Sequence, residues 1–98
     1  MRVFWFLLIG SLTLAAENWP QWRGPQRNGC STEAGWKDTW PSDGPKIGWK
    51  AKVGLGFSSF VIADNRVFTL GHADGKDTVW CLDAATGKVN WTHSYPAE

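Results

Sequence analysis

The sequence predicts an all-β chain, a small antiparallel four-stranded sheet preceded by an irregular, tryptophan-rich arm. Three observations carry this expectation. From Ile47 onward, short apolar runs alternate with polar residues at period two. Turn-forming residues interrupt these runs about every ten residues, the spacing of a meander. Lys46-Ile47-Gly48-Trp49 is also echoed 42 residues later by Lys88-Val89-Asn90-Trp91.

Ninety-eight residues allow one small domain at most. A hydrophobic fraction of 43% and a charged fraction of 19% suit a globular chain. Eight tryptophans imply specific packing sites, because each carries a large ring and an N–H that needs a partner. Eleven glycines and five prolines favour turns over long helices.

Residues 1–16 read as a signal peptide. Arg2 precedes the apolar run Val3 to Leu14, and Ala15-Ala16 offers a cleavage point before Glu17, with Thr13 and Ala15 filling the two small-residue positions if cleavage follows Ala15. The rival reading is an uncleaved anchor, but the run spans only ~18 Å as a helix against a hydrocarbon layer of ~30 Å. No cysteine stands at the cleavage point, which argues against a lipoprotein. These residues predict an exported protein, periplasmic or secreted, with no stable membrane anchor. Of ten basic residues, loss of Arg2 leaves nine against nine acidic ones, all dispersed. Such neutrality gives no reason to expect a nucleic acid partner. Two cysteines, Cys30 and Cys81, permit one disulfide in an oxidising compartment, and Cys81 in an apolar strand fits a buried free thiol.

Residues 17–46 form the arm, with Trp19 and Trp22 as its expected anchors and Trp22-Arg23-Gly24-Pro25 as a turn. Arg23 is placed either over an aromatic face or in solvent. Strands are expected at Ile47–Val53, Phe57–Ile62, Val67–Leu70, Thr78–Leu82 and Lys88–His93. The last would put Val89, Trp91 and His93 on one face. Ala63–Arg66, His72–Lys76 and Ala84–Gly87 are the expected connections. Four short strands with their turns fill the 42-residue interval, and a period of ~40–50 residues holding four strands is the signature of β-propeller blades.

The stretch Cys81-Leu82-Asp83-Ala84-Ala85-Thr86-Gly87-Lys88-Val89-Asn90-Trp91 is not a phosphate loop. Leu82 stands where the first glycine would be needed, Val89 follows the lysine, and a strand rather than a helix comes next. Its residues suit a hairpin. Asp83 can accept backbone N–H groups, Thr86 can add its hydroxyl, Gly87 can take positive φ, and Lys88 starts the return strand. Trp91 is then available to cover a neighbouring sheet. His72, Asp74 and Asp77 are expected to share a loop, a pattern more usual in hairpins than in metal sites. Asn90-Trp91-Thr92 fits a glycosylation acceptor formally, though a strand position disfavours its use.

This stretch resembles the tryptophan-docking repeat of PQQ-like, quinoprotein-type propellers, Ala-x-Asp-x-x-x-Gly-Lys-x-x-Trp. Asp83, Gly87, Lys88 and Trp91 match, and Cys81 replaces the usual alanine. Trp19-Pro20-Gln21-Trp22-Arg23-Gly24-Pro25 followed by Trp40-Pro41 is similar to exported outer-membrane-assembly-factor-like repeat proteins. The resemblance spans about Trp19 to Tyr95. It implies a fragment of a ring of about eight blades, with residues 47–98 as the repeat region. Within it, 47–53 would be a strand of the closing blade and 56–95 the first blade. It implies a structural role for Cys81, Asp83, Thr86, Gly87, Lys88, Trp91, Lys46 and Trp49, the tryptophan docking on the neighbouring blade's turn. Two functions follow. One is a binding scaffold that holds a protein or polymer partner on a ring completed by further blades of the same polypeptide. The other is the N-terminal part of an alcohol or sugar dehydrogenase that uses pyrroloquinoline quinone and calcium. The residues assign no catalytic, cofactor-binding or metal-binding side chain to this stretch, and the scaffold is the preferred expectation.

Overall fold

A computed structural model describes residues 17–98; the expected signal peptide, residues 1–16, lies outside the described residues. Four strands, β1 (Val61–Ala63), β2 (Arg66–Ala73), β3 (Lys76–Asp83) and β4 (Val89–Pro96), form one antiparallel sheet in the order β1-β2-β3-β4. The all-β expectation holds, with no helix among the described residues.

Two-residue turns make the meander possible. Asp64-Asn65 joins β1 to β2 and Asp74-Gly75 joins β2 to β3, all four residues at positive φ. Two central residues of positive φ define the turn whose twist matches paired strands. The β2–β3 connection is therefore two residues rather than the loop expected over His72–Lys76. Strand pairing runs to the hairpin tip, with Ala73 opposite Lys76 and His72 opposite Asp77.

The expected strand over Phe57–Ile62 shrinks to Val61–Ala63, for a reason of register. Leu55 bridges His72, and Val61 pairs with Phe68. Six steps along this segment therefore face four along β2, and the surplus residues leave the sheet as a loop. Phe57 and Phe60 are exposed on it. Residues 47–53 form no strand within this sheet; they lead to the Leu55 bridge and hold a close approach there. A Cβ on Gly71 would come 1.6 Å from the Val53 carbonyl oxygen, so only glycine fits at that crossing.

Alternation also breaks in β4. Leu82 pairs with Val89 and Cys81 with Trp91, a register shift that leaves Asn90 as the extra residue. Adjacent residues of β3 point to opposite faces, so Val89 shares the Leu82 face while Trp91 and His93 share the Cys81 face. The expectation of all three on one face is corrected by this bulge.

The arm is tied to the sheet at Trp19, whose backbone exchanges two hydrogen bonds with Ile62 at 2.7 and 2.8 Å. Its ring lies on Gly24, where a Cβ would come 2.5 Å from the indole. The anchor is thus a backbone bridge as well as an aromatic contact. Trp22 is not an anchor: it is 73% exposed, with the Arg23 guanidinium carbon 5.9 Å from its ring centroid. The Gly24 N–H bonded to the Gln21 carbonyl makes Trp22 a central residue of the turn, where its side chain projects into solvent.

Among the described residues only Cys81 and Leu82 are buried apolar residues, on opposite faces of β3, while Trp36, Trp40, Leu55 and Phe57 remain well exposed. So thin a core offsets little conformational entropy. The purified 98-residue chain is expected to melt broadly and to bind an apolar dye before heating. A single sharp transition from a monomer, without dye binding, would contradict this.

Candidate docking turn and apolar groove

The β3–β4 turn is closed by its backbone and braced by one carboxylate. Asp83 N–H donates to the Lys88 carbonyl, and Gly87 N–H donates to the Asp83 carbonyl, both at 2.8 Å. Asp83 Oδ1 accepts from the Thr86 amide (2.9 Å), the Ala85 amide (3.0 Å) and the Thr86 hydroxyl (3.0 Å). Thr86 Oγ1 in turn accepts from Lys88 N–H at 3.2 Å. These donors, Thr86 foremost, hold the Asp83 carboxyl below its ordinary range, with the Lys88 charge adding to the effect against a small desolvation penalty. An oxygen already accepting three hydrogen bonds is a structural brace.

Trp49 docks on this turn. Its Nε1 donates to the Ala84 carbonyl at 2.9 Å, and its ring covers Gly87, where a Cβ would come 2.5 Å from the indole. Gly87 is fixed twice over, by φ of +76° and by the ring above it. A contact across 35 residues therefore links the first copy of the Lys-x-x-Trp pattern to the turn that opens the second copy. The Ala84 carbonyl as receptor gives no sequence signal, because any residue offers a carbonyl.

The remaining expected positions are distributed around this junction. Trp91 lies on the Cys81 face, 45% exposed, its ring 6.1 Å from Phe68. Cys81 is a fully buried free thiol, approached by Asn90 Nδ2 at 4.0 Å; Cys30 is also free and exposed. Lys46 and Lys88 are exposed. His72 and Asp77 do not share a loop with Asp74. They face each other across β2 and β3 with Nδ1 and Oδ1 2.8 Å apart, while Asp74 occupies the turn. No group of three potential metal ligands occurs among the described residues.

An open groove of about 860 Å³ runs beside the docked indole. Trp19, Trp49, Val53, Ile62, Val67 and Leu82 supply apolar walls, and Glu17 and Glu33 stand at its rim. Trp80, on the same face of β3 as Leu82, has a buried Nε1–H with no acceptor among the described residues. Neither the groove nor this orphaned donor was legible in the sequence, since both depend on how residues 17–60 wrap the sheet. The chain matches no protein-family model, no curated protein and no solved structure.

Replacing Trp49 by Phe keeps an aromatic ring of smaller area and removes the indole N–H with its hydrogen bond, a loss of at least about 1 kcal/mol. Tryptic cleavage after Lys88 is expected to become at least about fivefold faster, since that step follows local opening of the turn. Gly87→Ala, which meets both the ring and the positive φ, should exceed that effect. Unchanged cleavage in either variant would show that the indole does not hold the turn.

The lowered acidity of Asp83 sets a pH window. Its contribution is complete above the ordinary aspartate value of about 3.9 and is lost as pH falls through the lower folded value. In an acid titration followed by circular dichroism, Asp83→Asn should flatten the response below about pH 4. A parent and variant with superimposable acid limbs would refute this.

Proposed function

We propose that this chain is the N-terminal part of an exported PQQ-like β-propeller, and that the completed protein is a binding scaffold. The observation that supports this most directly is the docking of Trp49 on the Ala84–Gly87 turn. The same four-residue pattern recurs with Trp91, which is half exposed on the opposite face and has no turn of its own to cover. A repeat that docks at one end and offers the same hook at the other suits a series of similar sheets. The orphaned Trp80 donor and the two-residue core suit a sheet whose faces are covered by further chain.

In this reading β1–β4 are the first blade, and residues 47–53 belong to the closing blade, whose other strands lie in the same polypeptide. Cys81, Asp83, Thr86, Gly87, Lys88 and Trp91, with Lys46 and Trp49, are repeat-junction residues. A ring of about eight such sheets would present a face to a protein or polymer partner in the periplasm or outside the cell. The scaffold is preferred to a quinone-dependent dehydrogenase because the carboxylate of the motif is committed to its turn.

Structure determination and assay of the polypeptide from the complete reading frame test the proposal. Further sheets about 42 residues apart are expected, with Trp91 Nε1 bonded to a carbonyl of the next turn. Dye reduction with an alcohol or sugar after adding pyrroloquinoline quinone and calcium would replace the scaffold by the dehydrogenase. A single sheet with no following repeat would overturn the propeller itself.

A further inference from the structure

Glu17, the first described residue, sits in a small polar cluster at the groove rim. Its backbone N–H donates to Glu33 Oε1 at 2.6 Å. Its carboxylate accepts from the Ser31 hydroxyl through Oε2 and from the Thr32 hydroxyl through Oε1, both at 3.1 Å. Ser31 Oγ also accepts from Glu33 N–H at 3.1 Å, so residues 31–33 are folded around Glu17. Two acidic residues thus share one hydrogen-bonded cluster, joined through the Glu17 backbone N–H. Among the described residues, no lysine, arginine or histidine nitrogen lies within 4.0 Å of either one. The Glu33 carboxylate therefore accepts here from an uncharged amide.

The missing positive charge has an obvious source. We propose that cleavage of the Ala16–Glu17 bond generates it, and that the new α-ammonium of Glu17 locks the arm through an ion pair with Glu33. In this step a peptidase adds water across the amide. The hydroxyl goes to the Ala16 carbonyl carbon, and the proton goes to the Glu17 nitrogen, which takes up a further proton at neutral pH. The nitrogen already lies at hydrogen-bond distance from Glu33, so the lock needs no rearrangement. An uncharged N–H donor becomes a charged one, and charge-assisted hydrogen bonds are roughly twice as strong as neutral ones. Cleavage one residue earlier, after Ala15, would carry the charge away from Glu33 on Ala16.

The consequence is structural. Asn18 accepts the Asp64 amide through Oδ1, and Trp19 pairs with Ile62. A terminus held at Glu33 therefore tethers residues 31–33 to the β1 end of the sheet and shapes one rim of the groove. The inference rests on the export reading and makes it specific to one bond.

The test is secretion of the full 98-residue chain, with its own leader, from a bacterial host. The product's first residue is read by mass and N-terminal sequencing, which do not depend on its fold. The α-amine is then acylated at neutral pH in the parent and in Glu33→Gln. The expected result is a product beginning at Glu17 whose amine reacts about threefold faster in the variant, as loss of an exposed ion pair frees the base form. A product beginning elsewhere, or equal acylation rates, overturns the lock and leaves export standing. A chain that keeps its leader overturns both.

Discussion

An indole lying on a glycine holds this chain together. Trp49 brings residues 47–55 to the sheet through one hydrogen bond to the Ala84 carbonyl and one flat contact with Gly87. Neither strand pairing nor a buried core could substitute. Residues 47–53 have no ladder within this sheet, and among the described residues only two apolar side chains are buried. The contact requires a turn of fixed shape, which is why Asp83 gathers two amides and a hydroxyl beneath it. It also requires bare backbone at the crossing farther along, where Val53 passes over Gly71. Remove the brace or add a methyl group, and the segment loses its seat.

What the sequence disclosed follows from locality. Asp64-Asn65 and Asp74-Gly75 specify turns by their own φ preferences, and the period-two runs between them specify strands. The brace at Asp83 is equally local, because all of its partners lie within three residues. Features that depend on distant register were hidden. The loop at residues 56–60 exists because Leu55 and Val61 pair two steps out of phase with β2. The bulge at Asn90 moves Val89 to the other face, and no residue there announces it. Trp22 and Trp19 look alike in the sequence, yet only Trp19 meets Gly24 and Ile62. The rim cluster at Glu17 and Glu33 joins residues 16 apart in an arm without period.

The two faces of the sheet are lined differently. The Leu82 face carries the docked indole, the groove and a buried donor without an acceptor. The Cys81 face carries an aromatic row, Phe68 and Trp91 near one end and His93 and Tyr95 near the other, with their rings partly open. A sheet that faced water on one side would show polar residues there at alternate positions. Here both sides present aromatic and aliphatic groups.

The repeated Lys-x-x-Trp pattern acquires a physical meaning from this asymmetry. Its first copy is half-buried and hydrogen-bonded, and its second is exposed beside Phe68, although the residues are nearly the same. What differs is whether a glycine turn lies within reach. The pattern therefore does not by itself decide whether its tryptophan docks; the turn it meets does. The turn at Asp83–Lys88 is the receptor for Trp49, and three residues beyond Lys88 the second tryptophan, Trp91, stands half exposed beside Phe68.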